Sequence, residues 1–472
     1  MTYPPTVRAA PQSAPPHAPG QPPATDPAAQ PWAAPPAPRG AWAEGKDRLR
    51  TAATTEPGRL QIIGALLAAL VVAFGAVTAF EISDRASAAD DVVSRSQPLS
   101  ADAASIYRSL ADADTAASSG FLTGPQKSQP MDTRYEDDIS LASALLVKAA
   151  TNTDSKSESG RQIATLNELL PRYTGWIETA RALNRQGLPL GGAYLRYANE
   201  RMTKDLLPAA QKLYDAETAR LDQDDEDARF LPVASLVVGV VALGGLVWAQ
   251  RRNYRRTNRV FNHGLLAATA ASTVVLLWLA VGHTVARAQL TDAQAHGQRS
   301  LKVLNDARIN SLKARANENL TLVARGAVLT EDGKSDKYES DYSTGMDKLG
   351  TQLTEAGRLA DDSAGRDPVA AAVASVSEWK VRHADASKTD KDGEYEGALE
   401  KVIGPKASTG ESFDRVDDAL AKALEHEQRE FTRAAEDGHG ALAGLPIGAA
   451  ALAVLGAVGA ILGINRRLTE YR

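Results

Sequence analysis

The sequence predicts an all-α integral membrane protein. Four transmembrane helices carry two extracytoplasmic four-helix-bundle domains, arranged as a tandem, pseudo-dimeric repeat. Three observations lead there. Four apolar runs are each about 20 residues or longer, enough for a helix to cross the hydrocarbon of a bilayer. The rest of the 472-residue chain is rich in alanine and only 5% aromatic, with apolar residues at three- and four-residue steps and little strand-like alternation. The two halves also echo one another at a nearly constant offset.

Residues 1–58 open the chain as a tail with 13 prolines in its first 41 residues. That composition cannot bury a core and favours extended, disordered chain. Within it, Trp32 and Trp42 are candidate docking points for a soluble partner. The spans follow at residues 60–80, 230–250, 262–283 and 441–464. They bracket outer segments 81–229 and 284–440, an Arg-rich loop 251–259 and a short tail 465–472. Ala86-Ser87-Ala88 resembles a signal-peptide cleavage site, but the apolar run before it is too long for a signal core.

Charge sets the orientation. Lys46, Arg48, Arg50 and Arg59 precede the first span; Arg251, Arg252, Arg255, Arg256 and Arg259 separate the second and third; Arg466, Arg467 and Arg472 follow the fourth. Basic residues near span ends stay in the cytoplasm, which places both termini and the arginine hairpin inside a plasma membrane. The segments assigned inside hold 14 bases and 5 acids; those assigned outside hold 39 and 53. The five arginines are expected to grip anionic lipid headgroups and to serve as a cytoplasmic relay contact. Trp248 and Trp278 fall near span ends, where indoles favour the interface.

The outer segments read as helices that begin and end in the membrane, closed by two inner helices each. Ile163, Leu166, Leu170, Tyr173, Ile177 and Ala180 form one apolar stripe, with Pro171 inside it predicting a kink. Gly187-Leu188-Pro189 predicts the turn before a second stripe: Leu195, Ala198, Met202, Leu206, Ala209, Leu213 and Ala216. Leu301, Leu304, Leu312, Ala316, Leu320 and Val323 line one face after the third span. Tyr135 to Ser140 answers Tyr338 to Ser343 at an offset of 203, Trp176 answers Trp379 at the same offset, and Ser109-Leu110 answers Ser311-Leu312 within one residue. Trp176 and Trp379 are expected to anchor the cores. In the fourth span Gly444, Gly448, Gly456, Gly459 and Gly463 offer a small-residue face for close helix packing.

Motifs for chemistry fail on inspection. Gly333-Lys334-Ser335 has Val328 where a phosphate loop needs glycine. His426-Glu427 is followed by Glu430 in place of the second zinc-binding histidine. Around Asp390-Lys391-Asp392-Gly393, a calcium loop would need oxygen ligands where Lys388 and Leu399 stand. The cluster Asp222, Asp224, Asp225, Glu226 and Asp227 reads as a solvated acidic collar. His263 and His283 lie at opposite ends of one span, and no Asp, Glu, Lys or Arg falls within the four predicted spans to relay a proton between them. The chain lacks cysteine, which removes disulfides and thiolate chemistry. No catalytic set, metal set or cofactor is expected, and no nucleic-acid partner.

The run GGAYLRYANERMTKDLLPAAQKLYDAE, Gly191 to Glu217, together with four spans, two helical outer domains and a Pro-rich inner tail, resembles the GlnX-like actinobacterial four-span membrane proteins. That resemblance implies a signal-transducing sensor or adaptor of a glutamate/aspartate-sensing system. Its partners would be an extracytoplasmic amino-acid-binding lipoprotein and a soluble serine/threonine kinase. Tyr194, Arg196, Tyr197 and Arg201 are the candidate ligand or partner contacts, since arginine presents a planar fork to carboxylates. A scaffolding envelope protein and a transporter accessory subunit are the alternative readings.

Overall fold

A computed structural model describes residues 54–124, 126–257 and 262–468. Most of the Pro-rich tail, with Trp32 and Trp42, lies outside the described residues, as do Arg259 and Arg472. Among the described residues there is no strand, only an isolated antiparallel bridge between Leu329 and Asp336. Four helices among the described residues are long and apolar enough to cross a membrane.

Helix α1 (Glu56–Asp91) passes through a π-helical turn (Val92–Ser96) directly into α2 (Gln97–Thr123). Helices α3 (Gln129–Asn152) and α4 (Glu158–Arg185) come next; α4 runs on past Pro171. After the turn at Gly187, where φ is +67°, α5 (Leu190–Arg201), a second π-helical turn (Met202–Leu206) and α6 (Leu207–Arg229) return towards the spans. Helix α7 (Val233–Thr257) is the second span. In the second half, α8 (His263–Asp292) continues through a π-helical turn (Ala293–Gln298) into α9 (Arg299–Ala324). Helices α10 (Lys337–Leu359), α11 (Ser363–Lys391), the short α12 (Tyr395–Ile403) and α13 (Thr409–Leu442) lead to α14 (Leu445–Leu468).

The spans join the bundle in two ways, where the sequence predicted continuous helices throughout. The first and third spans pass unbroken into α2 and α9. The second and fourth are interrupted, at residues 230–232 and at 443–444. Pro232 has no N–H to donate and disfavours helix at the residue before it. Gly444 takes φ +76°, open to glycine without penalty. The carbonyls freed at the first break are met by α1: Arg85 donates to Phe230 O at 2.7 Å and Leu231 O at 3.1 Å, while Glu81 accepts from the Ser235 N–H at 2.8 Å.

The arginine segment differs from a loop as well. Helix α7 persists to Thr257, so Arg251, Arg252 and Arg255 are helical, and the Arg252 guanidinium lies 5.4 Å from the Trp248 ring centre. Arginine is a good helix former and nothing before Thr257 breaks the hydrogen-bond ladder.

The four spans pack through Leu67, Val71, Leu246, Leu265, Ala453 and Ile464 at one level and Phe74, Val275, Leu279 and Ala449 at another. Their outer faces leave large apolar side chains such as Phe80, Val240, Leu277 and Leu462 exposed, a surface matched to lipid. Helices α8 and α14 approach at backbone distance. A Cβ built on Gly264 would sit 2.2 Å from Gly459 O and 2.5 Å from Gly463 Cα, and one on Gly448 would sit 2.3 Å from the Trp278 ring. Gly444, grouped with these by sequence, serves instead as the break before α14.

Outside the spans, the expected pair of separate cores is one. A continuous apolar cluster takes Leu110, Leu166, Tyr173 and Leu213 from the first half together with Leu312, Leu349, Trp379 and Leu420 from the second. Its axis is the pair α2 and α9. Alanine and serine on both helices let their backbones approach, and both are buried around most of their circumference instead of along one stripe. Trp379 is fully buried, but Trp176 is only partly so, set edge-on to Tyr197 with ring centres 4.8 Å apart.

Candidate functional site

The α2–α9 seam is lined with buried polar groups. Thr115 Oγ1 donates across it to Leu312 O at 2.9 Å, Lys313 Nζ donates to Tyr107 OH at 3.0 Å, and the Asn319 amide donates to Ser118 Oγ and Ser119 Oγ at 3.1 and 2.8 Å. Arg108 also reaches Asn305. Burial, with a smaller push from Lys348, brings the Lys313 ammonium down to about 8. An apolar seam would slide freely between registers, whereas these paired groups fix one.

Midway along the seam, charges from four helices converge. Arg308 on α9 grips Asp417 on α13 with both arms of its fork, at 2.6 and 3.0 Å. Arg134 on α3 bridges Asp112 on α2 at 3.0 Å and Asp417 at 3.4 Å, which ties the first half to the second. Burial, then the neighbouring Asp112 carboxylate, pushes Asp138 up to about 8.

Each half also buries a carboxylate further along its central helix. In the first half Asp114 accepts from Tyr173 OH at 3.0 Å and from the Asn199 amide at 2.6 Å; burial still raises it to about 6. In the second half Glu318 is met by Arg315 Nη1 at 2.6 Å, His383 Nδ1 at 2.8 Å and Trp379 Nε1 at 3.2 Å. Burial opposes the Glu318 charge, but the His383 hydrogen bond and the Arg315 charge outweigh it and hold the carboxyl below its ordinary range. His383 stacks on Tyr342 at 3.7 Å between ring centres and reaches Glu339 through Nε2 at 3.2 Å. Burial works against its positive form, yet the two carboxylates raise it to about 9.

Two cavities open beside the Arg315–Glu318 pair, at the end of the bundle away from the spans. The larger, about 280 Å³, lies between the halves; Lys127, Arg134, Arg315, Ser119, Ser408 and Asp414 are among its lining. It adjoins the first turn of α13, whose cap is Ser408 Oγ accepting from Glu411 N–H. Glu411 is already engaged, accepting from Arg382 at 2.9 Å and from Ala407 N at 2.7 Å. Basic side chains, hydroxyls and a helix N-terminus together suit a small oxyanion such as a carboxylate. The second cavity, about 200 Å³, is lined by Glu318, Asp336, Glu339, His383, Asp390 and Lys391 and is mainly acidic. Each end of one buried ion pair therefore faces a different cavity.

The residues singled out by sequence lie elsewhere. Tyr194 packs against the common core, Tyr197 is exposed, and Arg201 lies over Tyr197 while pairing with Asp205 at 3.2 Å. None of them, nor Arg196, lines either cavity. In the acidic collar Asp225 is buried against Arg229 at 2.8 Å and burial raises it to about 7, while Asp224 accepts from Ser96. Sequence reasoning passed over Asp112, Asp114, Arg315 and Glu318. A signal was present: charged residues set in Ala/Ser-rich helices where every face is apolar or small.

Residues 88–226, from the end of α1 to α6, match the family model described as the actinobacterial sensor domain, Sensor_actino. No curated protein and no solved structure matches the chain. With four membrane-competent helices, that match supports an actinobacterial sensor protein of the multi-pass membrane type, with a sensory or signalling role.

Proposed function

We propose that the chain is a transmembrane sensor or adaptor that relays extracytoplasmic glutamate/aspartate status, through a solute-binding lipoprotein, to a cytoplasmic serine/threonine kinase. In this reading both bundles face outward as a tandem, pseudo-dimeric repeat, and both termini and the arginine segment face inward. The observation that carries it is the pair of central helices: α2 and α9 cross-link the halves and run without interruption into the first and third spans. A displacement at the far end reaches the lipid through continuous hydrogen-bonded rods, not through loops.

Distance supports a protein partner. From residue 80 to residue 123 a helix rises about 65 Å at 1.5 Å per residue. The far end thus stands well clear of lipid, where a tethered binding protein can dock. The cavity lined by Lys127, Arg134 and Arg315 offers a carboxylate a place between the halves, so its occupancy would bias the seam. A ligand shifts such an equilibrium only by its difference in affinity for the two arrangements. The π-helical turns at Val92–Ser96 and Ala293–Gln298 sit about three helical turns outside the first and third spans, a place where an extra residue is taken up without breaking the helix.

The test uses the chain's lack of cysteine. A Cβ at Gly456 would lie 3.2 Å from Val71 Cγ1, so Val71→Cys with Gly456→Cys gives one reporter pair between the first and fourth spans. Its oxidation rate in native membranes is expected to change severalfold when glutamate and the binding protein are supplied together. A rate unmoved by both, alongside intact binding, would leave a static scaffold or a transporter accessory subunit as the better account.

A further inference from the structure

Helix α13 presents His426 and Glu430 one turn apart, and the residue that caps α11, Asp362, meets them. His426 Nε2 lies 3.2 Å from Asp362 Oδ1 and 3.4 Å from Glu430 Oε1, and all three candidate ligand atoms fall within 4.8 Å of one another. We propose that this trio is a binding site for a divalent transition-metal cation of the zinc, cobalt or nickel kind.

Spacing is the first argument. Ligand atoms about 2.1 Å from a tetrahedral metal stand about 3.4 Å apart, and both short separations here are close to that value. Charge is the second. Asp362 and Glu430 converge on a single imidazole, and among the described residues neither carboxylate has another basic partner within ion-pair distance. The nearby Arg366 is spent on main-chain oxygens, donating to Asp362 O at 3.0 Å and Asp361 O at 2.9 Å. The two carboxylates together carry a charge of −2, which a divalent ion cancels.

Satisfaction of polar atoms is the third argument. His426 Nε2 is a fully buried atom, on a side chain 15% exposed, and among the described residues its ion-pair neighbours are these two carboxylates. A metal bond would satisfy it. Asp362 is already fixed, its Oδ1 accepting from the Gly365 N–H at 2.7 Å, so one ligand is held in place before the ion arrives. Imidazole with carboxylates selects the borderline cations over calcium or magnesium. Three protein ligands leave a position for water.

The site has a mechanical consequence, which rests on the sensor reading. The ion would clamp the α10–α11 connection to α13, the helix that meets the fourth span at Gly444. Binding itself is independent of that reading, and the experiment separates the two.

The full chain, purified without a histidine tag and stripped with chelator, is titrated with Zn²⁺ by calorimetry and with Co²⁺ by visible absorption. One equivalent is expected to bind saturably and raise the melting temperature, and Co²⁺ is expected to show ligand-field bands of low coordination number. His426→Gln and Glu430→Gln are each expected to weaken binding by about a hundredfold or more and to abolish the bands. Their metal-free melting curves should stay near the parent's, which shows that the fold survives. Absence of saturable binding, or an affinity unchanged in both variants, would overturn the site. Metal binding that leaves the Val71→Cys, Gly456→Cys oxidation rate unaltered would retain the site and remove only its mechanical role.

Discussion

Replacing Glu318 by glutamine tests whether the buried cluster under α9 holds the second half together. The side chain is 1% exposed and accepts from Arg315, His383 and Trp379, while the Arg315 side chain is itself only 4% exposed. Glutamine keeps the shape and one acceptor oxygen but turns an N–H₂ group towards a set of donors. It takes away the carboxylate that pairs with Arg315, whose other hydrogen bonds go to Thr409 Oγ1 and Val402 O. An uncompensated buried charge costs about 3–5 kcal/mol, a large share of the roughly 5–15 kcal/mol that holds a typical domain folded. Melting of the detergent-solubilised chain, followed by tryptophan fluorescence, is expected to drop by on the order of ten degrees. Removing both charges, with Arg315→Met added to Glu318→Gln, should recover most of that loss, because the unpaired ion is gone. A loss of under about 1 kcal/mol for the single variant, or a double variant as unstable as the single, would refute the reasoning.

Two further outcomes follow from the same chemistry. His383 is raised to about 9 when folded, so its proton contributes stability that is fully present below about pH 6.5 and is lost as pH rises through about 9; the melting temperature should fall across that window, and His383→Gln should flatten the fall. Gly264→Leu should force α8 and α14 apart, since even its Cβ would meet Gly459 O at 2.2 Å, at a cost of about 1–3 kcal/mol or more; resistance to unfolding in SDS measures it, and an unchanged midpoint would show that the spans do not pack there.

What the sequence determined by itself is what depends on residues near one another along the chain. Four apolar runs suffice for four membrane-competent helices, and the step of Ile163, Leu166, Leu170, Tyr173, Ile177 and Ala180 suffices for a helix with one buried face, because period and length are local properties. All six of those residues are buried. The turn at Gly187 was readable for the same reason.

Tertiary structure decided the rest. Whether the halves share a core depends on α2 meeting α9 face to face, and the alanines and serines that permit this look like generic composition until the partner helix is in place. The breaks at Phe230 to Pro232 and at Gly444 were hidden inside apolar runs, because hydropathy does not register a freed carbonyl or a positive φ. Arg315 and Glu318 are three residues apart and could be paired on paper. Their burial, and the arrival of His383 and Trp379 from α11, could not. Asp362, His426 and Glu430 make the point most sharply: a helix brings two of them together, but only the packing of α11 against α13 supplies the third.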